Sequence, residues 1–357
     1  MEEIKITLTQ SPKDKPQDES KLGFGRIFTD HMFLMDYEAG EGWYNPRIVP
    51  FGPISLSPAA SVLHYGTEIF EGMKAYRTAN GEIRMFRPME NIRRLNQSAE
   101  RLCLPQLDEE FALKVLDTLV ELEKDWVPHS EGTSLYLRPF MYGADPHLGV
   151  HAVHSATFVV ICSPVGAYYA EGINPVKIVI EDEDVRAVRG GTGYAKCGGN
   201  YAASLRAGAR AEKRGYTQVL WLDGVERKYI EEVGSMNVMF KVGGKIITPA
   251  LTGSVLPGIT RKSCIELLRS WGYEVEERLF SVEELTEAAA NGTLEEAWGT
   301  GTAAVVSPIG WLNYMNTEYV VGDSNIGAVT QRLYDELTAI QWGRAEDVFG
   351  WCHKVCD

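Results

Sequence analysis

Five glycines gathered around one lysine constrain this chain more than any other stretch. In "GGTGYAKCGGNYAASLRAGARAEKRG", Gly190, Gly191, Gly193, Gly198 and Gly199 flank Lys196. Backbone without Cβ atoms turns sharply and lets another group approach closely. The alanine, leucine and arginine run that follows predicts a helix over 200–214, so the lysine stands at the mouth of a helix and not on its solvated side. Whatever the chain folds into has to bring a partner to that loop.

Around the loop the chain reads as α+β in two domains. Its 357 residues, 45% hydrophobic and 24% charged, suffice for two soluble domains with their own cores. Residues 1–22, rich in Lys, Asp, Gln and Pro, read as a loosely held arm. Asn80-Gly81 between two β-like runs predicts a hairpin, and Ile92, Leu95, Ala99 and Leu102 at helical spacing predict a helix ended by Pro105. A second helix is expected over 108–125, and "TSLYLRPFMYG" and "SATFVVICSP" read as strands. "SPVGAYYAEGINP" concentrates Gly, Pro and polar residues, which sets a small N-terminal domain at 1–164, a linker loop at 165–177 and a large domain at 178–357. In the large domain, hairpin signals at Asp223-Gly224 and Gly243-Gly244 imply many short antiparallel strands in a barrel-like sheet. Helices are expected there at 200–214, 258–271 and 325–340, with a short one opened by a Ser281/Glu284 capping box.

Charge and motif content exclude several partners. A net charge of −14 with no basic block argues against nucleic acid. "MEEIKITLTQ" lacks the basic and apolar regions of a signal peptide, and no run reaches about 18 apolar residues, so a cytoplasmic location away from membranes is expected. Cys103, Cys162, Cys197, Cys264, Cys352 and Cys356 show no C-x-x-C spacing and read as reduced thiols. His147, His151 and His154 would share one face of a helix, but Gly149 and the neighbouring valines argue for a loop. The tail "WCHKVCD" also lacks common zinc spacing, so no metal is expected. The glycine patterns of P-loops, dinucleotide sites and nucleophile elbows are missing, which removes support for ATP, NAD and serine-hydrolase chemistry.

Two other segments suit an anion. Pro257 and Gly258 precede a helical run, leaving the amides of Ile259 and Thr260 at its positive end. "WGTGTAAV" offers Gly299, Thr300, Gly301 and Thr302 as a turn of amides and hydroxyls. Each is also what a plain cap or connection looks like. Arg94, off the apolar face of its helix, is equally at home in solvent, as is Glu232 at a strand start in "YIEEVGSMNVMF". Taken together with Lys196 they suit one cofactor: a lysine for an aldehyde, an arginine and a helix N-terminus for a phosphate, and a carboxylate for a ring nitrogen. That cofactor is pyridoxal 5'-phosphate.

Seven stretches in order resemble one family: "FEGMKAYR" (70–77), "MFRPMENIRRLNQSAERLCLP" (85–105), "SLYLRP" (134–139), "KCGGNY" (196–201), "EVGSMN" (232–237), "LPGITR" (256–261) and "GTGTA" (299–303). They are similar to the branched-chain amino-acid aminotransferases of the fold-type IV pyridoxal-phosphate class, and the resemblance runs from Phe24 onward. It implies an α/β sandwich-like small domain, a barrel-like large one and the cofactor at the domain interface. The implied reaction is reversible amino transfer between leucine, isoleucine or valine and 2-oxoglutarate. Lys196 is then the Schiff-base lysine and proton carrier, with a pKa lowered by burial. Glu232 matches the partner of the ring nitrogen and Tyr201 that of the ring hydroxyl. The phosphate falls to Arg94, Ile259, Thr260 and Thr302, with Arg186 as an additional arginine. Phe24, Tyr65, Phe70 and Tyr136 match an aromatic substrate wall, and Arg138 a partner for the distal carboxylate of glutamate. The amides of Thr302 and Ala303 match the α-carboxylate site. Leu148 and Val150 match a loop that enters the other subunit's active site, which implies a homodimer.

The chain departs from the mammalian members at Ala304-Val305-Val306-Ser307, where those carry a redox C-x-x-C, so that redox behaviour is not expected here. D-amino-acid and aromatic aminotransferases and aminodeoxychorismate lyases would share Lys196 and Glu232. "EGMKAYR" and "YLRP" favour the branched-chain members. A catalytically silent pyridoxal-phosphate-binding protein is the alternative of another class.

Overall fold

The computed structural model of the chain describes residues 3–166 and 173–357. They fall into two units, one of residues 3–166, 195–198 and 339–357, the other of 173–194 and 199–338.

In the first unit, strands Lys5–Ile6 (β1), His31–Glu38 (β2), Gly42–Pro50 (β3), Glu68–Phe70 (β4), Met73–Arg77 (β5), Ile83–Phe86 (β6), Ser134–Gly143 (β7) and Ser155–Val165 (β8) share one sheet, ordered β1-β3-β2-β8-β7-β5-β6 with β4 beside β7. Helices Ser61–Tyr65 (α1), Pro88–Arg101 (α2) and Glu109–Leu122 (α3) accompany it. The apolar spacing read from the sequence is the packing face of α2: Ile92, Leu95 and Ala99 are buried with Val115, Leu116 and Leu119 of α3 against Phe33, Leu135, Leu137 and Phe158 of the sheet. Burial of each such large side chain is worth about 1.5–3 kcal/mol, which holds the helices to the sheet. The chain leaves α2 earlier than expected. Cys103 adopts a left-handed conformation (φ 55°) right after the helix, so Pro105 lies beyond its end.

The arm is not loose. β1 pairs with Arg47 and Ile48, the Thr9 amide donates to His31 Nε2 (2.9 Å) and the Lys13 amide to Asp30 Oδ1 (2.8 Å). Glu19 accepts the amides of His129 and Ser130. Composition marks this segment as polar and mobile, but its polar groups find partners in the folded sheet.

In the second unit, strands Val176–Ile180 (β9), Gln218–Leu222 (β10), Ile230–Val233 (β11), Met236–Val242 (β12), Lys245–Pro249 (β13), Val275–Arg278 (β14), Leu294–Gly301 (β15), Val305–Tyr314 (β16) and Thr317–Val320 (β17) share another sheet. The pairings β11-β10-β9-β16-β15-β12 return from β12 to β11 and close a six-stranded barrel. Closure leaves these six strands without a free edge. Besides the expected antiparallel strands, the sheet carries parallel pairs at β9–β10, where helix Gly198–Lys213 (α4) makes the crossover, at β9–β16 and at β13–β14. Gly243-Gly244, both at positive φ, close β12 to β13 tightly, whereas Asp223 begins a longer loop in which its carboxylate accepts the amides of Val225, Glu226, Lys228 and Tyr229. Helices Ile259–Ser270 (α5) and Val282–Ala290 (α6) follow, α6 with the expected Ser281/Glu284 capping box.

The domain boundaries need two corrections. Helix Ala328–Gln341 (α7) is followed by strand Cys352–Cys356 (β18), which pairs antiparallel with β6 of the first unit, since the tail completes that sheet's edge. Residues 195–198 also belong to the first unit, through a bridge between Ile69 and Cys197. Of the expected linker, residues 167–172 lie outside the described residues. No helix among the described residues is long and apolar enough to cross a membrane.

Candidate active site

Lys196 is held in the first unit by its own backbone. Its carbonyl accepts the Phe70 amide (2.9 Å), and its amide donates to Ser98 Oγ (2.9 Å), a hydroxyl fully buried in α2. At Gly198 a Cβ would overlap the carboxylate of Glu68, which accepts the Gly198 amide. The glycine is there to admit a carboxylate. The Lys196 ammonium stands 4.9 Å from the centroid of the Phe70 ring. Burial, seconded by the Arg94 guanidinium and opposed by Glu71, lowers the pKa of its amine to about 8.

Arg94 is buried and paired. Its Nε and Nη2 donate to the two oxygens of Glu71 at 2.7 and 2.9 Å, and Asn91 Nδ2 donates to the same carboxylate at 2.8 Å. Burial pushes the Glu71 carboxyl up, but Arg94, Lys196 and Asn91 together outweigh it and the net shift is downward. A bidentate, charge-assisted pair of this kind fixes the plane of the guanidinium.

The expected aromatic wall is partly assembled around Arg138. Its guanidinium lies 4.7 Å from the Phe70 centroid and 5.4 Å from that of Tyr136, and Nη2 donates to the Tyr136 hydroxyl (3.1 Å). Phe24 meets Tyr136 edge-on at 4.9 Å. Any side chain at Gly72 would overlap the Tyr136 hydroxyl. Arg138 Nε is buried with no hydrogen-bond partner among the described residues, a donor left for an anion. Tyr65 makes a separate contact: its hydroxyl accepts the Gly149 amide (2.8 Å), in the loop that exposes Leu148 and Val150.

The second unit gathers the remaining candidates. Glu232 is buried at the end of β11, before the turn at Gly234 (φ 58°), and not at a strand start. Its Oε1 accepts Asn237 Nδ2 (3.0 Å) and the Leu256 amide (3.1 Å), and its Oε2 lies 2.6 Å from Arg186 Nε. Arg186 also donates to the carbonyls of Gly193 (3.1 Å) and Ser254 (2.5 Å). The guanidinium expected at the phosphate is thus committed to Glu232, because a buried carboxylate needs a cation beside it. Ile259 and Thr260 open α5 behind Gly258, an N-cap with no side-chain hydrogen bond, so nothing from the cap covers the first amides. A Cβ at Gly258 would overlap Asn237 Oδ1, which explains a glycine there. Thr302 and Ala303 lie in the turn between β15 and β16, and the buried Thr300 hydroxyl just before it has no hydrogen-bond partner among the described residues. Tyr201 lies in the first turn of α4.

Each unit by itself offers groups of the kind that pyridoxal phosphate requires: in the first, a lysine whose pKa is lowered to about 8; in the second, a helix N-terminus opened by glycine and a buried carboxylate held by a cation. Sequence reasoning gave no role to Glu68, Glu71, Asn91, Ser98 or Asn237. Four of them lie inside the quoted motifs, so the signal was present without the contacts that give it meaning.

The chain belongs to a class of aminotransferases: residues 68–310 match the family described as Amino-transferase class IV. It is 54% identical over 352 residues to branched-chain-amino-acid aminotransferase 2 of Bacillus subtilis (strain 168), covering 99% of this chain and 97% of that one. The identity to the branched-chain-amino-acid aminotransferase of Mycolicibacterium smegmatis is 46%, covering 99% and 98%. Among solved structures, the T.th. branched-chain amino acid aminotransferase with pyridoxamine 5'-phosphate superposes with a TM-score of 0.78 at 27% identity, covering 92% of this chain and all of that one. The Escherichia coli enzyme gives 0.76 at 27% identity, covering 91% and 99%.

Proposed function

We propose that this chain is a pyridoxal-phosphate-dependent branched-chain L-amino-acid aminotransferase, with 2-oxoglutarate as the amino acceptor. The observation that carries the reading is the Lys196 amine, buried beside Arg94 with its pKa lowered to about 8. An amine lowered in this way reaches its neutral form much closer to neutral pH than an ordinary lysine does. The names of the relatives at 46–54% identity support the substrate class.

Bound pyridoxal phosphate supplies an electrophilic aldehyde and an electron sink. The chain supplies the rest. Lys196 would hold the cofactor through its amine and, in its neutral form, would take up the proton at the substrate Cα. Arg94, Ile259, Thr260 and Thr302 hold the phosphate. Glu232 keeps a proton on the ring nitrogen, with Arg186 and Asn237 fixing that carboxylate, and Tyr201 faces the ring hydroxyl. Phe24, Tyr65, Phe70 and Tyr136 pack an apolar side chain, while Arg138 takes the distal carboxylate of glutamate and Thr302 and Ala303 the α-carboxylate.

The finer assignments belong to the same proposal: a homodimer in which the exposed Leu148 and Val150 serve the partner copy, acting in the cytoplasm. Initial rates with a panel of L- and D-amino acids against 2-oxoglutarate test the function. Turnover of leucine, isoleucine, valine and glutamate is expected, and activity confined to D-amino acids refutes it. Sedimentation tests the dimer.

A further inference from the structure

The loop after β7 brings together three side chains that the helical spacing of its histidines did not foretell. We propose that Asp145, His147 and His151 form a binding site for a divalent metal ion of the zinc class. Their ligand atoms all lie within 4.8 Å of one another. Gly149 (φ 116°) turns the chain between the two histidines, so that their rings stack at 4.1 Å between centroids. A helix would have aligned His154 as well; the loop instead selects two histidines and adds a carboxylate.

Each ligand is oriented by its other atoms. Asp145 is only 3% exposed, and its Oδ1 accepts the amides of His154 (3.0 Å) and Ser155 (3.2 Å). Its Oδ2 is buried and has no hydrogen-bond partner among the described residues. His151 Nδ1 is 2.6 Å from the Gly149 carbonyl, which makes that nitrogen the N–H donor and leaves a lone pair on Nε2. That Nε2 lies 3.6 Å from Asp145 Oδ1 and is also buried without a hydrogen bond. His147 Nδ1 faces the Leu148 carbonyl (3.4 Å), again turning Nε2 outward. A backbone carbonyl on the non-ligating nitrogen is the support that metal-bound histidines require. His154 Nδ1 also lies 3.6 Å from Asp145 Oδ1, but it does not join the group of ligand atoms that all lie within 4.8 Å of one another.

The two buried atoms, a carboxylate oxygen and an imidazole lone pair, are both acceptors and cannot satisfy each other without a proton or a cation between them. A zinc ion does so. Tetrahedral bonds of about 2.0–2.2 Å place ligand atoms roughly 3.4 Å apart, so atoms that already lie within 4.8 Å of one another have little distance to close. Three protein ligands leave the fourth position to water. Bound metal would tie residue 145 to residue 151 and fix how Leu148 and Val150 are presented.

The test uses full-length, cofactor-loaded enzyme stripped with a chelator and dialysed. Titration with Zn²⁺ by calorimetry, and with Co²⁺ by its visible ligand-field bands, is expected to give one ion per chain with micromolar or tighter affinity. His147→Ala and His151→Ala should each weaken binding at least about tenfold, and Asp145→Asn, which keeps an oxygen for the two backbone amides, should do the same without lowering the melting temperature. His154→Ala should leave the affinity within a factor of about two. Absence of saturable binding, or binding that survives the His147/His151 double substitution, overturns the site. Thiolate-to-cobalt charge-transfer bands would also overturn it, because they would assign the ion to cysteine.

Discussion

Arg138→Met separates the two kinds of substrate that one pocket has to accept. The arginine is anchored by two aromatic rings and by the Tyr136 hydroxyl, yet its buried Nε has no partner. A carboxylate reaching this guanidinium makes a charge-assisted contact worth about 1.5–3 kcal/mol, so its loss costs glutamate and 2-oxoglutarate roughly 10- to 150-fold in kcat/KM. Leucine presents no carboxylate there and meets only the arginine stem, which methionine approximates in length, so its expected loss stays within a few-fold. The substitution also removes a cation that helps lower the Lys196 pKa. That effect is common to all substrates and therefore cancels in the ratio. Single-turnover half-reactions followed by cofactor absorbance, glutamate against leucine, give that ratio directly. Equal losses for the two substrates would refute the assignment and leave Arg138 as a support for Phe70 and Tyr136.

Lys196→Ala is expected to abolish turnover and the absorbance of lysine-bound cofactor while leaving the melting temperature close to that of the parent; retained activity would remove Lys196 from the chemistry. In cofactor-free protein, labelling of Lys196 by an amine reagent should rise through a midpoint near pH 8, since only the neutral amine reacts. Glu71 raises that pKa, so Glu71→Gln should move the midpoint to lower pH, and a shift to higher pH would refute the charge assignment. Glu232→Gln should keep the cofactor but slow the half-reaction by orders of magnitude, because an amide holds no proton on the ring nitrogen; an unchanged rate points to another residue. Gly72→Ala should displace the Tyr136 ring and raise KM for leucine more than it lowers kcat, measured by steady-state kinetics, with parental values refuting the steric argument.

The elements that sequence reveals here are those whose signal is local. The α2 face, the capping box of α6 and the Gly243-Gly244 turn each rest on residues a few positions apart, and each stands where the spacing places it. What sequence hides is set by distant partners. β1 is a strand because Arg47 and Ile48 offer an edge, and β18 leaves the second half of the chain because β6 has an unfilled side. Neither segment has a hydrophobic pattern strong enough to announce itself.

The candidate site divides along the same line. Lys196 and the start of α5 were legible because glycine and proline mark backbone that must stay bare or turn. The charge network was not: Glu71 and Arg94 stand 23 residues apart, and Arg186 and Glu232 sit on different elements. Both pairs are buried, where an unpaired charge is costly, so each arginine has a structural reason to be present before any ligand arrives. For Arg186 that reason is sufficient, since its guanidinium already serves Glu232 and two carbonyls. For Arg138 it is not, because its buried Nε has no hydrogen-bond acceptor among the described residues and, unlike that of Arg186, no carboxylate in an ion pair with it. An arginine that the fold leaves partly unsatisfied is therefore the better guide to where substrate binds than one the sequence merely aligns.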